Sequence, residues 1–158
     1  LGDNIFEDDF SHDIQTFKKG GKVFAVKVPD PERSGVVQFD VQMKATAIVE
    51  KPKTWISDYA IPGMYMYDER VVEVAKQVKP SARGELEIVD LHNWYLQKGE
   101  LEVGLLKGKW FDAGTFDSLM EASNYVQQKK LYEQFHPLIN TAIEKFNEEL
   151  KMLVKKKL

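Results

Sequence analysis

Between Lys22 and Tyr67 apolar residues recur at every second position in four short runs, and from Glu69 onward they recur at intervals of three and four. A period of two sends alternate side chains to opposite faces of a strand, whereas a period near 3.6 lays one stripe along a helix. A chain that passes from one period to the other and back must layer helices on a sheet. The expected fold class is therefore α/β.

The runs place the elements. Residues 22–28 (KVFAVKV), 34–40 and 46–50 read as strands, and Lys51-Pro52 ends the third because proline has no donor for a sheet ladder. Residues 59–67 (YAIPGMYMY) read as a fourth strand interrupted at Pro62-Gly63, the mark of a bulge or a close backbone approach. Phe10, Ile14 and Phe17 outline a helix over about 9–19, capped by Asp8 or Ser11 and closed by Gly20-Gly21. Val71, Val72, Ala75 and Val78 make a helical face that Pro80 stops, residues 85–98 form another helix closed by Gly99, and 101–106 a short strand. Residues 109–115 read as a turn, with Thr115 capping a helix that runs to about Lys130. Beyond it, Leu138, Ala142, Phe146, Leu150 and Leu153 predict an amphipathic helix that starts at Pro137 and ends in Lys155-Lys156-Lys157. Its polar face is mixed in sign, which favours a docked or oligomerising helix over one lying on a membrane.

Composition narrows the function. At 158 residues, 43% hydrophobic and 30% charged, the chain has material for one core and is not a disordered sequence. Twenty-two Lys+Arg against 25 Asp+Glu, without a dense basic stripe before the last residues, argue against a nucleic-acid partner. No apolar run reaches the roughly 18 residues of a membrane span. Zero cysteines and three scattered histidines, His12, His92 and His136, exclude a disulfide scaffold and a thiolate metal site, and a reducing cytoplasm is the expected compartment. The chain starts at Leu1, and Gly2-Asp3-Asn4 reads as a strand ending in a loop with the strand itself missing; the expectation is a fragment, a processed chain or one half of a split protein.

Single residues say less. Asp3 and Asp112 sit at expected strand ends, where open α/β sheets collect ligands, although one aspartate in a turn is more often a cap. If the two converge they suit Mg²⁺, which takes one or two carboxylates together with phosphate and water oxygens. Glu50-Lys51 puts an acceptor for hydroxyls beside a cation for a phosphate, but the same pair is commonly a solvated one. Arg83, in a loop of small residues before a helix, can grip a phosphate or simply face water. Gly35 and Gly63 admit close backbone approach or serve turns.

Taken in order, the segments Leu1-Gly2-Asp3-Asn4, Asp30-Pro31-Glu32-Arg33-Ser34-Gly35-Val36-Val37, Glu50-Lys51-Pro52, Tyr59-Ala60-Ile61-Pro62-Gly63-Met64-Tyr65, Pro80-Ser81-Ala82-Arg83-Gly84-Glu85-Leu86-Glu87-Ile88 and Trp110-Phe111-Asp112-Ala113-Gly114-Thr115 resemble the glucose-1-phosphate thymidylyltransferases. The resemblance covers about residues 1–130 and corresponds to the second half of that family's catalytic domain. It implies an incomplete Rossmann-like nucleotidyltransferase fold with a mixed sheet, lacking the N-terminal nucleotide-binding part. The implied division is 1–130 for the sugar-phosphate and metal-binding half and 131–158 for the C-terminal helical extension.

By the same resemblance, Asp3 and Asp112 hold Mg²⁺, Gly35 and Glu50 contact glucose hydroxyls, and Ile61 lines the sugar pocket beside Trp110. Lys51 and Arg83 hold the sugar phosphate and are the implied catalytic pair. The implied reaction joins glucose 1-phosphate to dTTP, giving dTDP-glucose and pyrophosphate on the route to rhamnose. The family's opening strand and its Gly-Gly-x-Gly-x-Arg loop do not occur in this chain, Ser34 stands where the family commonly has tyrosine, and Pro62 where it has threonine. Removing the first βαβ units turns strands meant for the middle of a sheet into edges, so a second protein chain is expected, either the missing half or another copy. Two further classes stay open: an inactive truncated homologue that binds sugar phosphate or assembles with a partner, and an oligomerisation module driven by the last helix.

Overall fold

The computed structural model describes residues 2–81, 84–129 and 145. The chain forms two compact units, Leu1–Asp112 and Ala113–Leu158.

The first unit is organised on β2 (Gly21–Lys27), whose residues Val23, Phe24 and Ala25 are almost wholly buried. A strand covered on both faces needs a near-continuous apolar run, and KVFAVKV supplies one. On one side β2 pairs in parallel with β7 (Leu101–Leu105), from Gly21 opposite Leu101 to Ala25 opposite Leu105. On the other it pairs antiparallel with β5 (Tyr59–Ala60) and β6 (Tyr65–Tyr67), two pieces of one line separated by the Pro62-Gly63 break. The hairpin β3 (Gly35–Phe39) to β4 (Ala45–Glu50) joins through Val36 opposite Ala60. Its turn is closed by Asp40, whose carboxylate accepts the N–H groups of Gln42 and Lys44, both at 2.9 Å. The sheet is mixed, as expected.

Its two faces are covered differently. Helix α3 (Ile88–Gln97) lays Val89, Leu91, His92 and Tyr95 against β2, β4 and β7. It starts three residues later than the periodicity suggests, because Glu87 is extended and the Ser81 N–H bonds the Glu85 carbonyl at 2.8 Å instead. It ends as expected at Gly99, with φ +65°. There the N–H groups of Gly99 and Glu100 return to the carbonyls of Leu96 and Tyr95, a Schellman closure. The opposite face meets Phe10, edge-on to Phe24 at 4.8 Å and to Phe6 at 5.3 Å. Gly104 makes room for Phe24, since a Cβ there would stand 2.8 Å from its ring.

Helix α1 spans only Ser11–Thr16, since Phe17 already turns to extended backbone, and it is Asp9 that receives the Ser11 N–H at 2.8 Å. Asp8, expected to cap it, accepts instead from Lys107 and Gly108. Helix α2 (Val71–Ala75) buries Val74 and leaves Val72 57% exposed, so its inward face runs through Val71 and Val74 and not through Val72 and Ala75.

Residues 110–112, expected within a turn, form a strand, β8 (Trp110–Asp112). It pairs antiparallel with β1 (Asn4–Phe6), a segment expected as loop: Asn4 faces Asp112, Ile5 faces Phe111 and Phe6 faces Trp110. Neither strand has its partner nearby in the chain, which is why local patterning misses both. Asp3 accordingly precedes a strand instead of following one.

Asp68 locks these pieces together. Its carboxylate, 2% exposed, accepts from the Gly20 N–H at 2.8 Å and from the Tyr95 hydroxyl at 2.9 Å, and pairs with Arg70 at 2.6 Å. Arg70 also pairs with Glu100. One side chain thus ties the entry of β2, the end of β6, α3 and the start of β7. The Arg70 guanidinium, first among its causes, holds the Asp68 carboxyl far below the usual carboxylate range.

In the second unit α4 (Phe116–Lys129) opens with a reciprocal cap: Thr115 Oγ1 accepts the Ser118 N–H and Ser118 Oγ accepts the Thr115 N–H, each at 3.2 Å. The helix expected from Pro137 lies outside the described residues, apart from Lys145, which is helical.

Asp68→Ala leaves Arg70, Tyr95 and the Gly20 N–H without their shared acceptor. Urea denaturation is expected to show a loss of about 3 kcal/mol, the scale for breaking one partner out of a buried ion pair, with Asp68→Asn falling between the variant and the parent chain.

Candidate functional site

The break at Pro62-Gly63 carries the site. Pro62 has no N–H to give, and β5 and β6 part around it, which frees backbone groups for other partners. The Ile61 N–H bonds the Gly35 carbonyl at 2.8 Å, and the Gly63 N–H bonds Asn4 Oδ1 at 2.9 Å. The interrupted strand thus faces the start of β3 on one side of the break and the β1–β8 ribbon on the other.

At the β3 corner, Gly35 is the register partner of Glu50. A Cβ on Gly35 would lie 3.1 Å from Glu50 Oε2 and 3.5 Å from Val89 Cγ2, so the absent side chain is the space in which the carboxylate sits. Ile61, 8% exposed, closes the corner. Lys51 follows at once with φ +43°, a conformation most side chains avoid, and its N–H bonds the Ser34 carbonyl at 3.0 Å. The lysine side chain is exposed and Pro52 beyond it is buried. Glu50 and Lys51 open onto a groove of about 430 Å³ whose far wall is Ser81, Asp90 and Asn93. An acceptor beside a cation at the rim of an open groove is fitted to an anionic, hydroxyl-bearing ligand.

At the ribbon, Asn4 Oδ1 accepts a second bond, from Trp110 Nε1 at 2.7 Å. Trp110 is thereby held beside the break that carries Ile61 and Gly63. Asp3 adjoins Asn4, and Asp112 is the register partner of Asn4, so the ribbon puts both carboxylates at the same end of the β1–β8 ladder. Asp3 Oδ1 also accepts from Asn4 Nδ2 at 2.9 Å. A hard cation takes one or two carboxylates of this kind and completes its shell with ligand oxygens and water. Among the described residues no three His, Cys, Asp or Glu side chains group as a self-sufficient cage.

Of the residues expected from the sequence, Gly35, Glu50 and Ile61 meet directly, Lys51 borders them, Trp110 joins through Asn4, and Asp3 and Asp112 share a ladder end. Arg83 lies outside the described residues. Gly63, read from the sequence as a point of close backbone approach, gives its N–H to Asn4, whereas Asn4, Tyr65, Val89 and His92 are neighbours that the sequence does not single out. Asn4 and Tyr65 stand inside the quoted motifs, so their signal is present; Val89 and His92 look like ordinary core positions of a helix.

Electrostatics behind the corner follow from burial. Burial, aided by the charge of Glu50, pushes the Tyr65 hydroxyl up to about 12. Burial pushes Tyr67 higher still and pushes His92 down to about 4. His92 is therefore neutral in the folded chain, and its contribution to stability is complete above its unfolded value near 6.5 and lost as the pH falls from there toward 4. At pH 5 the parent chain is expected to have lost about 2 kcal/mol relative to pH 7, read by urea midpoints. A His92→Asn chain should lack that slope, and an identical slope would show that other groups cause it. Asp68 acts only below this window.

A family model described as nucleotidyl transferase matches residues 1–129. Among curated proteins, the chain is similar to glucose-1-phosphate thymidylyltransferase of Neisseria meningitidis serogroup A, with 48% identity covering 86% of this chain and 49% of that protein. It is also similar to the Mycolicibacterium smegmatis protein of the same name, with 46% identity covering 83% and 47%. A solved structure described as a glucose-1-phosphate thymidylyltransferase of Bacillus anthracis in complex with a sucrose superposes with TM-score 0.71 and 48% identity, covering 79% of this chain and 52% of that one. A UDP-glucose pyrophosphorylase complexed with UDP-glucose matches with TM-score 0.71 at 23% identity, a likeness of fold alone. The chain spans about half the length of the curated relatives it matches.

Proposed function

The chain belongs to the nucleotidyl transferase family, matched over residues 1–129, and from that premise we propose that it is the sugar-phosphate half of a glucose-1-phosphate thymidylyltransferase. The observation that carries the reading is the corner where Gly35 leaves room for the Glu50 carboxylate, Ile61 closes the wall and Lys51 stands at the rim. Glu50 and the Gly35 backbone take glucose hydroxyls, Ile61 and Trp110 line the sugar, and Lys51 and Arg83 hold its phosphate. Glucose 1-phosphate and dTTP are the substrates.

In the reaction a phosphate oxygen of the sugar attacks the α-phosphorus of the nucleotide in line. That P–O bond forms, the bond to the β-phosphate bridge breaks, and pyrophosphate leaves with the electron pair. The attacking phosphate is already ionised near neutral pH, so no side chain need act as a base. The chain's work is to orient the sugar phosphate and to screen its charge with Lys51 and Arg83. Asp3 and Asp112 would hold Mg²⁺, which when bound supplies charge neutralisation at the phosphates. The nucleotide-binding part comes from a further segment or a second protein chain, and the reaction belongs to the cytoplasm. No helix among the described residues is long and apolar enough to cross a membrane.

A second reading, a sugar-phosphate-binding or assembly subunit without turnover, is favoured by Ser34 and Pro62, which stand where the family commonly has tyrosine and threonine. Calorimetric titration with glucose 1-phosphate and Mg²⁺ tests the first reading. Lys51→Ala is expected to weaken binding at least tenfold, as loss of a charged hydrogen bond to phosphate does, and Glu50→Gln by a smaller factor. Pyrophosphate release from dTTP should be absent for the chain alone and appear when the N-terminal half of a relative is added. A folded chain that binds no sugar phosphate rejects the site assignment; binding without turnover in the presence of that half leaves the second reading.

A further inference from the structure

Behind the Gly35–Glu50 corner lies a buried aromatic cluster that the proposed reaction leaves unused. His92, on α3, is wholly buried. Its Nδ1 is 2.7 Å from the Tyr67 hydroxyl, while its Nε2 is sealed from solvent with no hydrogen-bond partner among the described residues. Its ring stands edge-on to Tyr65 at 4.8 Å and stacks on Tyr67 at 6.0 Å. Tyr67 in turn stacks on Tyr95 at 5.4 Å, and Tyr95 is anchored by its hydroxyl to Asp68.

Tyr65 therefore stands between a fixed block and the site. On β6 it is the register partner of Val23 and stands two residues past Gly63, and on its flank it meets the ring of His92, one helical turn along α3 from Val89, whose Cγ2 would lie 3.5 Å from a Cβ on Gly35. A leucine at position 92 would remove the unpaired Nε2 but would also leave the Tyr67 hydroxyl without its partner, so the histidine is retained for what its Nδ1 holds. What the imidazole adds is direction: a flat ring tethered at Nδ1 to Tyr67 has one orientation, and it presents one edge contact to Tyr65.

We propose that His92 is a positioning residue, which through its hydrogen bond to Tyr67 and its edge contact with Tyr65 sets how Tyr65 stands beside the Pro62-Gly63 break and so shapes the sugar-phosphate corner. The assignment rests on the proposed function for the nature of the ligand, but not for the contact between His92 and Tyr65.

The test uses the full chain carrying ¹³C-labelled tyrosine, with the Tyr65 ring signals identified by their loss in Tyr65→Phe. In His92→Leu those signals are expected to move by more than a linewidth at pH 7 and the affinity for glucose 1-phosphate to fall at least fivefold in a chain that still unfolds in a cooperative thermal transition. His92→Asn, which keeps a hydrogen-bonding group for Tyr67, should recover part of both losses. Should His92→Leu fail to fold, Tyr67→Phe, which removes the tether and keeps the ring, takes its place with the same expected shift. Unmoved Tyr65 signals in a folded variant overturn the proposal. If even the parent chain binds no glucose 1-phosphate, the sugar-phosphate reading falls, and the Tyr65 signals by themselves still decide whether His92 positions that ring.

Discussion

Strand β2 is paired along both edges and covered on both faces, and the other parts of the first unit are arranged by what it requires. A strand in that position exposes no polar backbone and tolerates few polar side chains. Its parallel partner β7 arrives from the helix α3, and its antiparallel edge is supplied by residues 59–67 in two pieces, after the β3–β4 hairpin. Asp68 holds the end at which all of these converge. Its carboxylate gathers donors from Gly20, Arg70 and Tyr95, and the low dielectric around it makes each bond matter more than it would at the surface.

Against that rigid centre, the defect at Pro62-Gly63 is the feature with chemical consequences. A continuous strand would spend the N–H groups of residues 61 and 63 in sheet ladders. The interruption sends one to Gly35 and the other to Asn4, so the Gly35–Glu50 corner and the β1–β8 ribbon are joined through a single short segment. An irregularity is thus held by regular structure, an arrangement that permits close backbone approach without loosening the core.

The periodic elements were legible because their cause is local. KVFAVKV, the Pro62-Gly63 break, the Gly99 closure and the Thr115 cap each follow from a few neighbouring residues, and each stands where the pattern placed it. Helix bounds were overextended at the end of α1 and at the start of α3, because the sequence pattern does not register where Phe17 and Glu87 turn to extended backbone. The β1–β8 ribbon was missed altogether. Three-residue strands carry almost no periodic signal, and the partners Asn4 and Trp110 are 106 positions apart. Asp68 and His92 were passed over for another reason: in sequence, an aspartate before a helix and a histidine within one look like a turn cap and a packed side chain.

By itself the sequence determined the layer architecture, through its apolar periods, and the family, through six ordered motifs that bring the right chemical groups: carboxylates, a lysine and small residues where backbone must approach. Which of those groups meet was decided only in the tertiary structure. Asn4 bridging Trp110 to Gly63, Asp3 and Asp112 sharing a ladder end, and His92 wedged between Tyr65 and Tyr67 are all long-range contacts. Such contacts depend on closing large loops around a packed core, and no residue's own neighbours in the chain record whether that closure brings two side chains to 3 Å or leaves them apart.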